Sequence, residues 1–306
     1  MSARRTAVIP AAGLGTRLLP ATKAVPKELL PVGDRPAIQH TVEEAVAAGF
    51  DHIVLVTSPA KRAVEEHFEP SPELERRLAA AGRVAELAGV RRAVRLASIE
   101  VVHQLRPLGL GHAVSLARPL VGSGPFAVLL PDELVVDGGA LLRRMADQHH
   151  RTGHAVVGLV EVDPGEIERY GCAAIVPPVG AFAGSVTGRV RQVVEKPDRD
   201  DAPSDLALCG RYVLDVSIFD ALDASPADGS GEIQLTPALA DLATRGRLDG
   251  VVTRARRYDL GRRLDYVLAN LDLALADPGL APEVAERLGL APGAVRPAGA
   301  ASRVAA

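Results

Sequence analysis

Apolar positions in this chain fall into short runs of two kinds. Thr6-Ala7-Val8-Ile9, Ile53-Val54-Leu55-Val56-Thr57 and Phe126-Ala127-Val128-Leu129-Leu130 are continuous and largely apolar, which predicts strands buried on both faces. Arg35 to Gly49 instead sets Ile38, Val42, Ala45 and Val46 on one stripe and ends at a glycine, predicting a helix with a C-terminal stop. Strand, loop, helix, strand makes a βαβ unit, whose crossover is right-handed and whose strands run parallel. The charged stretches Lys61 to Phe68 and Pro72 to Leu87 predict a peripheral helical hairpin. Further strands are expected over 94–104, 155–162, 170–176, 190–194 and 207–214, and helices up to about Leu120, over 140–152 and over 264–275. The glycine-rich piece Gly180 to Gly188 reads as a turn, and no linker interrupts the series. The pattern is that of an α/β protein.

Composition narrows this without redirecting it. The 306 residues can bury a sizeable core, and with no Trp and few rings the interior must be Ala, Val and Leu, which favours helix-on-sheet packing. A formal net charge of −3 argues against a nucleic-acid binder. The two cysteines, Cys172 and Cys209, form neither a metal knuckle nor a disulfide framework and read as core residues. The first five residues run straight into a strand that stops at Pro10, without a signal peptide's apolar region, and no run of ~18 apolar residues occurs. A cytoplasmic protein with no membrane partner is expected.

The chemistry gathers at strand ends. After the first strand comes Ala11-Ala12-Gly13-Leu14-Gly15-Thr16-Arg17, where two glycines permit backbone angles closed to other residues and let a ligand approach the main chain. Successive N–H groups there can form a concave nest for phosphate oxygens, and Arg17, Lys23 and Lys27 add positive charge. It reads as a triphosphate cradle, although such a loop also serves as a plain strand-to-helix turn. The spacing is neither the Walker pattern nor the dinucleotide fingerprint, because Arg17 and Leu18 stand where a third glycine would be. A second glycine loop, Leu108-Gly109-Leu110-Gly111-His112, follows Gln104, whose amide offers donor and acceptor to an imide edge. Asp132 closes the strand over 126–130, a position from which a carboxylate can hold Mg²⁺ together with phosphates and water. His149 and His150 are neighbours on a helix, do not face one way, and read as solvated.

The run Gly13-Leu14-Gly15-Thr16-Arg17-Leu18, through Pro20, to Pro26-Lys27-Glu28-Leu29-Leu30-Pro31 closely resembles the signature of the sugar-1-phosphate nucleotidylyltransferases. Ala21 to Glu28 resembles the version found in the bacterial branch that uses UTP and glucose 1-phosphate. The likeness extends over roughly Arg4 to Ala276, in five separated segments. It implies a Rossmann-like three-layer α/β/α nucleotidyltransferase fold with a mixed, mostly parallel central sheet. Residues 1–276 would form one domain, 4–135 its nucleotide half and 136–276 its sugar half, with 277–306 a tail, partly disordered.

By the same resemblance UTP and α-D-glucose 1-phosphate give UDP-glucose and pyrophosphate, with Mg²⁺ as cofactor and a homodimer or homotetramer as the assembly. Ala11, Ala12, Gly13, Gly15, Thr16, Arg17 and Lys27 would hold the nucleotide, and Gln104 and Gly111 would meet the base. Glu195, Lys196, Gly210, Arg211 and Glu232 would hold the sugar phosphate, and Asp132 and Asp259 the metal. Arg17, Lys27, Asp132 and Lys196 would carry catalysis. Two departures stand out: Glu133 where the family usually has a second Asp, and Arg262-Arg263 where it commonly has Asp or Asn and then Lys. The same chemistry with dTTP or another sugar 1-phosphate, and a non-catalytic nucleotide-sugar sensor, are the rival readings.

Overall fold

The computed structural model describes residues 4–176 and 187–290. Most of the turn expected over Gly180 to Gly188, and the disorder expected of the last ten residues, lie outside the described residues. The chain opens with β1 (Thr6–Pro10), three single turns of 3₁₀ helix, and a small hairpin of β2 (Pro31–Val32) and β3 (Arg35–Pro36). Then come α1 (Ala37–Ala47), β4 (His52–Thr57), α2 (Arg62–Glu66), α3 (Pro72–Ala80), α4 (Val84–Arg95) and β5 (Ser98–His103). The middle holds α5 (Leu110–Leu116), β6 (Phe126–Leu129), β7 (Glu133–Val136), α6 (Ala140–Thr152), β8 (Ala155–Glu161), β9 (Cys172–Val176) and β10 (Thr187–Val194). The last part is β11 (Leu206–Leu214), α7 (Ser217–Asp223), α8 (Thr236–Thr244), β12 (Leu248–Thr253), β13 (Arg256–Asp259), α9 (Arg263–Ala276) and α10 (Ala281–Arg287).

Nine strands form one sheet in the order β5-β4-β1-β6-β11-β8-β12-β10-β9. Pairing is parallel from β5 through β4 and β1 to β6 and again for β8 with β12, and antiparallel wherever β11 or β10 meets a neighbour. The expected predominance of parallel pairing therefore holds in the first half only. The second half inserts two reversed strands, which hydrophobic runs cannot reveal because a strand buried on both faces reads alike in either direction.

Alternation along β1 sorts the core. Val8 faces a cluster with Val54, Phe126 and Val157 that α5, α7 and α8 cover through Val114, Phe219 and Leu239. Ala7 and Ile9 face the opposite cluster, with Leu55, Ala127 and Leu129, covered by α1 and α6 through Ile38, Val42, Leu142 and Met145. Helices therefore cover both faces of a mixed sheet, and their apolar stripes are what hold them there. Among the described residues no helix is long and apolar enough to cross a membrane.

The expected helix over Pro72 to Leu87 is divided. Gly82, at φ 66°, ends α3 by a paired closure in which its N–H reaches the Ala79 carbonyl and that of Arg83 reaches Leu78. A separate helix, α4, then runs to Arg95 and takes up Val94, which had read as the start of a strand. The pattern also passes over β12, whose Leu248-Asp249-Gly250 breaks an apolar run. Asp249 is nonetheless buried, because Arg189 Nε and Gln148 Nε2 donate to its two oxygens at 2.8 Å each.

Candidate functional site

At the C-terminal tip of β1 the Ala11 N–H donates to the Val56 carbonyl of β4 at 2.7 Å, and the chain then leaves the sheet. Gly15 takes the left-handed conformation at φ 68°, its carbonyl accepts from Thr22 Oγ1 at 2.7 Å, and a Cβ there would lie 3.2 Å from that of Lys27. Glycine is required at this point by both backbone angle and space. The turn carries Arg17 and Lys27 to one place, with Gly13, Thr16 and the Arg17 side chain exposed at its rim.

A second pair of strands brings the carboxylates there. β13 pairs antiparallel with β7, setting Asp259 opposite Glu133, and the Leu260 N–H donates to the Asp132 carbonyl at 2.7 Å. Asp132 and Asp259 thus become neighbours. Lys27 Nζ reaches Asp132 Oδ2 at 2.6 Å, while the Arg17 guanidinium spans both acids, 2.9 Å to Asp259 Oδ2 and 3.4 Å to Asp132 Oδ2. Gly261 supplies the room, since a Cβ at that position would collide with the guanidinium. Burial opposes ionisation of Asp132, but Lys27 and Arg17 outweigh it and hold the carboxyl below the ordinary Asp range. Burial likewise works against the Lys27 charge, and Asp132 with Glu28 more than restores it. Asp132 and Lys27 are thereby kept charged beside Arg17 and Asp259.

Glu133 turns away from this group. Both its oxygens take the Arg257 guanidinium, at 2.5 and 2.6 Å, and burial still pushes its carboxyl up to about 7. Arg257 lies over the Tyr170 ring, 4.3 Å from its centroid. Tyr170 in turn accepts the Lys196 N–H on its carbonyl at 3.2 Å, so a chain of contacts through Arg257 and Tyr170 links Glu133, next to Asp132, with Lys196. Lys196 is the single described non-glycine residue with positive φ, at 42°, a conformation that costs about 1–3 kcal/mol and is found at sites where a side chain must be aimed. Its ammonium is exposed, 3.5 Å from Glu195 Oε1. Glu195 Oε2 accepts from Thr236 Oγ1 at 2.6 Å, with Gly171 close against it.

Gln104 is buried, its Nε2 placed 3.1 Å from the Gly109 carbonyl and 2.8 Å from His112 Nδ1. The Gly111 N–H is given to the Ile233 carbonyl at 2.8 Å, docking this loop onto the segment of Glu232, whose Oε2 accepts from Gln234 Nε2 at 2.8 Å. The strand β4 stands between β1 and β5, the strands that lead into the two glycine loops.

Two of the expected sugar-phosphate residues are placed otherwise. The Arg211 side chain is wholly buried, 0% exposed, with Nε and Nη2 on Glu44 at 2.8 and 2.6 Å and further bonds to the carbonyls of Leu130 and Glu133. A guanidinium with every direction filled by protein has none to offer a sugar phosphate, and Arg211 is a structural residue. Gly210, at φ 71°, is buried at a bulge in β11 where a Cβ would lie 2.7 Å from Glu133 Cγ. It makes room for Glu133 instead of presenting a surface.

Sequence reasoning missed Lys61. This lysine is buried, with Nζ 2.8 Å from the Ala11 carbonyl, 2.5 Å from that of Gly13, and 3.0 and 2.9 Å from the oxygens of the more deeply buried Glu28. Nothing in Pro59-Ala60-Lys61-Arg62 separates it from a solvated helix charge. A cavity of about 570 Å³ lies away from all these groups, bounded by Arg35, Gln39, His67, Glu86 and Arg92. It carries none of the converging residues, so the site is recognised by chemistry and not by depth.

A cleft at strand tips, with an open N–H turn, two cations and two aspartates, is the equipment of a nucleotidyl transferase, and this chain belongs to that family, whose model matches residues 6–275. It is 44% identical over 276 residues to the UTP--glucose-1-phosphate uridylyltransferase of Bacillus subtilis (strain 168), covering 90% of this chain and 93% of that one. A Staphylococcus epidermidis protein of the same name is 42% identical over 280 residues, 92% and 96% of the two chains. Among solved structures, the UTP-bound UGPase from Acinetobacter baumannii superposes with a TM-score of 0.84 at 38% identity, covering 93% and 98%. A UDP-glucose pyrophosphorylase complexed with UDP-glucose does so at 0.76 and 34%, covering 87% and 97%.

Proposed function

We propose that this chain transfers a uridylyl group from UTP to α-D-glucose 1-phosphate, releasing UDP-glucose and pyrophosphate. The observation that carries the reading is the meeting of Arg17, Lys27, Asp132 and Asp259 beside the glycine turn, in a chain whose relatives bear that activity in their names. The attacking sugar-phosphate oxygen is already an anion, so no strong base is needed. The difficulty is bringing two polyanions into line. Arg17 and Lys27 neutralise the triphosphate, Ala11 to Thr16 contact its oxygens, and Lys196 neutralises the sugar phosphate while Glu195 and Glu232 accept from sugar hydroxyls. No covalent intermediate is required.

The donor set suits Mg²⁺. Asp132 and Asp259 are hard oxygen ligands on one side of the cleft, and the Arg17 guanidinium now bridging them shows that the spot accepts positive charge. Mg²⁺ bound there would offset charge on the phosphates and the leaving pyrophosphate. Gln104, with Nε2 engaged, keeps its Oε1 to accept the imide N–H of uracil. Thymine presents the same N–H, which keeps dTTP as the second reading. Our reading extends to a Rossmann-like three-layer domain with its nucleotide half in 4–135 and its sugar half in 136–276, and to a cytoplasmic homodimer or homotetramer.

The test is pyrophosphate release over a grid of nucleoside triphosphates and sugar 1-phosphates, with and without Mg²⁺. UTP with glucose 1-phosphate and Mg²⁺ is expected to be fastest, and release from no combination would mean a non-catalytic protein. Within this scheme Lys196→Ala is expected to raise the KM for glucose 1-phosphate by about tenfold or more, the worth of a bond to a charged group. UTP affinity by calorimetry should stay unchanged; its loss would overturn the division of labour between the two halves.

A further inference from the structure

We infer that Lys61 is a positioning residue that sets the peptide planes of the glycine turn so that its N–H groups face the nucleotide. The inference rests on the uridylyl-transfer reading above and adds to it a residue outside the cleft. A trans peptide points its N–H opposite to its C=O. Drawing the carbonyls of Ala11 and Gly13 onto one ammonium, at 2.8 and 2.5 Å, therefore turns the N–H groups of Ala12 and Leu14 the other way. Among the described residues the N–H groups of Ala12, Gly13 and Leu14 donate to no protein acceptor. They are open donors beside Arg17 and Lys27, as an anion nest demands.

Glu28 neutralises the buried ammonium. It is 1% exposed and accepts Lys61 on both oxygens, so the ammonium's three donors are shared between one carboxylate and two loop carbonyls. Glu28 also adjoins Lys27 in the chain, which ties the turn's geometry to the lysine that meets Asp132. Gly13 has open space where a Cβ would stand, so packing does not fix the peptide planes at that residue, and the bond from Lys61 to its carbonyl does. Burial draws the Lys61 pKa below its ordinary value against the pull of Glu28, the expected mark of an ammonium kept inside for its bonds.

The test uses Lys61→Met combined with Glu28→Gln, which removes the grip without stranding a buried carboxylate, beside Glu28→Gln alone, which keeps both carbonyl bonds. Calorimetric UTP affinity is expected to fall about tenfold to a hundredfold in the double variant, as for charged hydrogen bonds lost. The KM for glucose 1-phosphate should stay within about twofold, a split that general loosening of the fold would not produce. Glu28→Gln alone should bind UTP nearly as the parent does. Wild-type UTP affinity in the double variant would overturn the inference. So would an equal loss in Glu28→Gln; should the double variant fail to fold, Lys61→Gln in the Glu28→Gln background, too short to reach both carbonyls, takes its place with the same expected and overturning results. Failure of the underlying reading looks different: the parent protein itself would bind no UTP.

Discussion

Asp132→Ala is expected to give a folded protein whose turnover of UTP and glucose 1-phosphate falls about a hundredfold or more, the scale of losing one preorganised electrostatic group. The carboxylate receives Lys27 at 2.6 Å and Arg17 at 3.4 Å and stands beside Asp259, so it is where opposite charges are balanced before substrate arrives. Without it, Lys27 and Arg17 repel each other, and the Mg²⁺ proposed above would lose one of its two protein ligands. The fold should hold, because its backbone bond to Leu260 does not involve the side chain, which is partly exposed. Pyrophosphate release at saturating substrate and Mg²⁺ measures the effect. Turnover within a few-fold of the parent would remove Asp132 from the catalytic group.

The second large effect is on stability. Arg211→Met should destabilise the chain by about 3–5 kcal/mol, because it leaves Glu44 as an uncompensated charge inside the protein. It also takes one bond each from the carbonyls of Leu130 and Glu133, which flank Pro131-Asp132. Burial disfavours the Arg211 charge, and Glu44 more than offsets this, raising its pKa. Urea unfolding followed by circular dichroism gives the number. A stability change under about 1 kcal/mol, with a raised KM for glucose 1-phosphate, would return Arg211 to the substrate.

That residue marks the limit of what motif reading yields. Gly210-Arg211-Tyr212 matches a family pattern, yet a match gives a position and not the direction of a side chain. On β11, with helices over both faces, Arg211 points to α1 and its Glu44. Glu133 is the opposite case. It stands where the family usually has a second Asp, a departure to which the motif gives no role, and the structure pairs it with Arg257, a residue no motif singled out.

The sequence by itself determined the buried strands, the helix over Ala37–Ala47, the glycine turn with Arg17 and Lys27, and the strand-end Asp132, because local periodicity, turn chemistry and charge are written in neighbouring positions, whereas Asp259 was legible only through the family resemblance. Tertiary structure alone decided that the β7–β13 pair sets Asp132 and Asp259 side by side, that β10 and β11 run against the sheet, that Arg211 is inside, and that Lys61 grips the turn. Each of those depends on contacts between segments far apart in the chain, whose register and facing come from packing and the pairing of buried charge, and no window of sequence contains both partners.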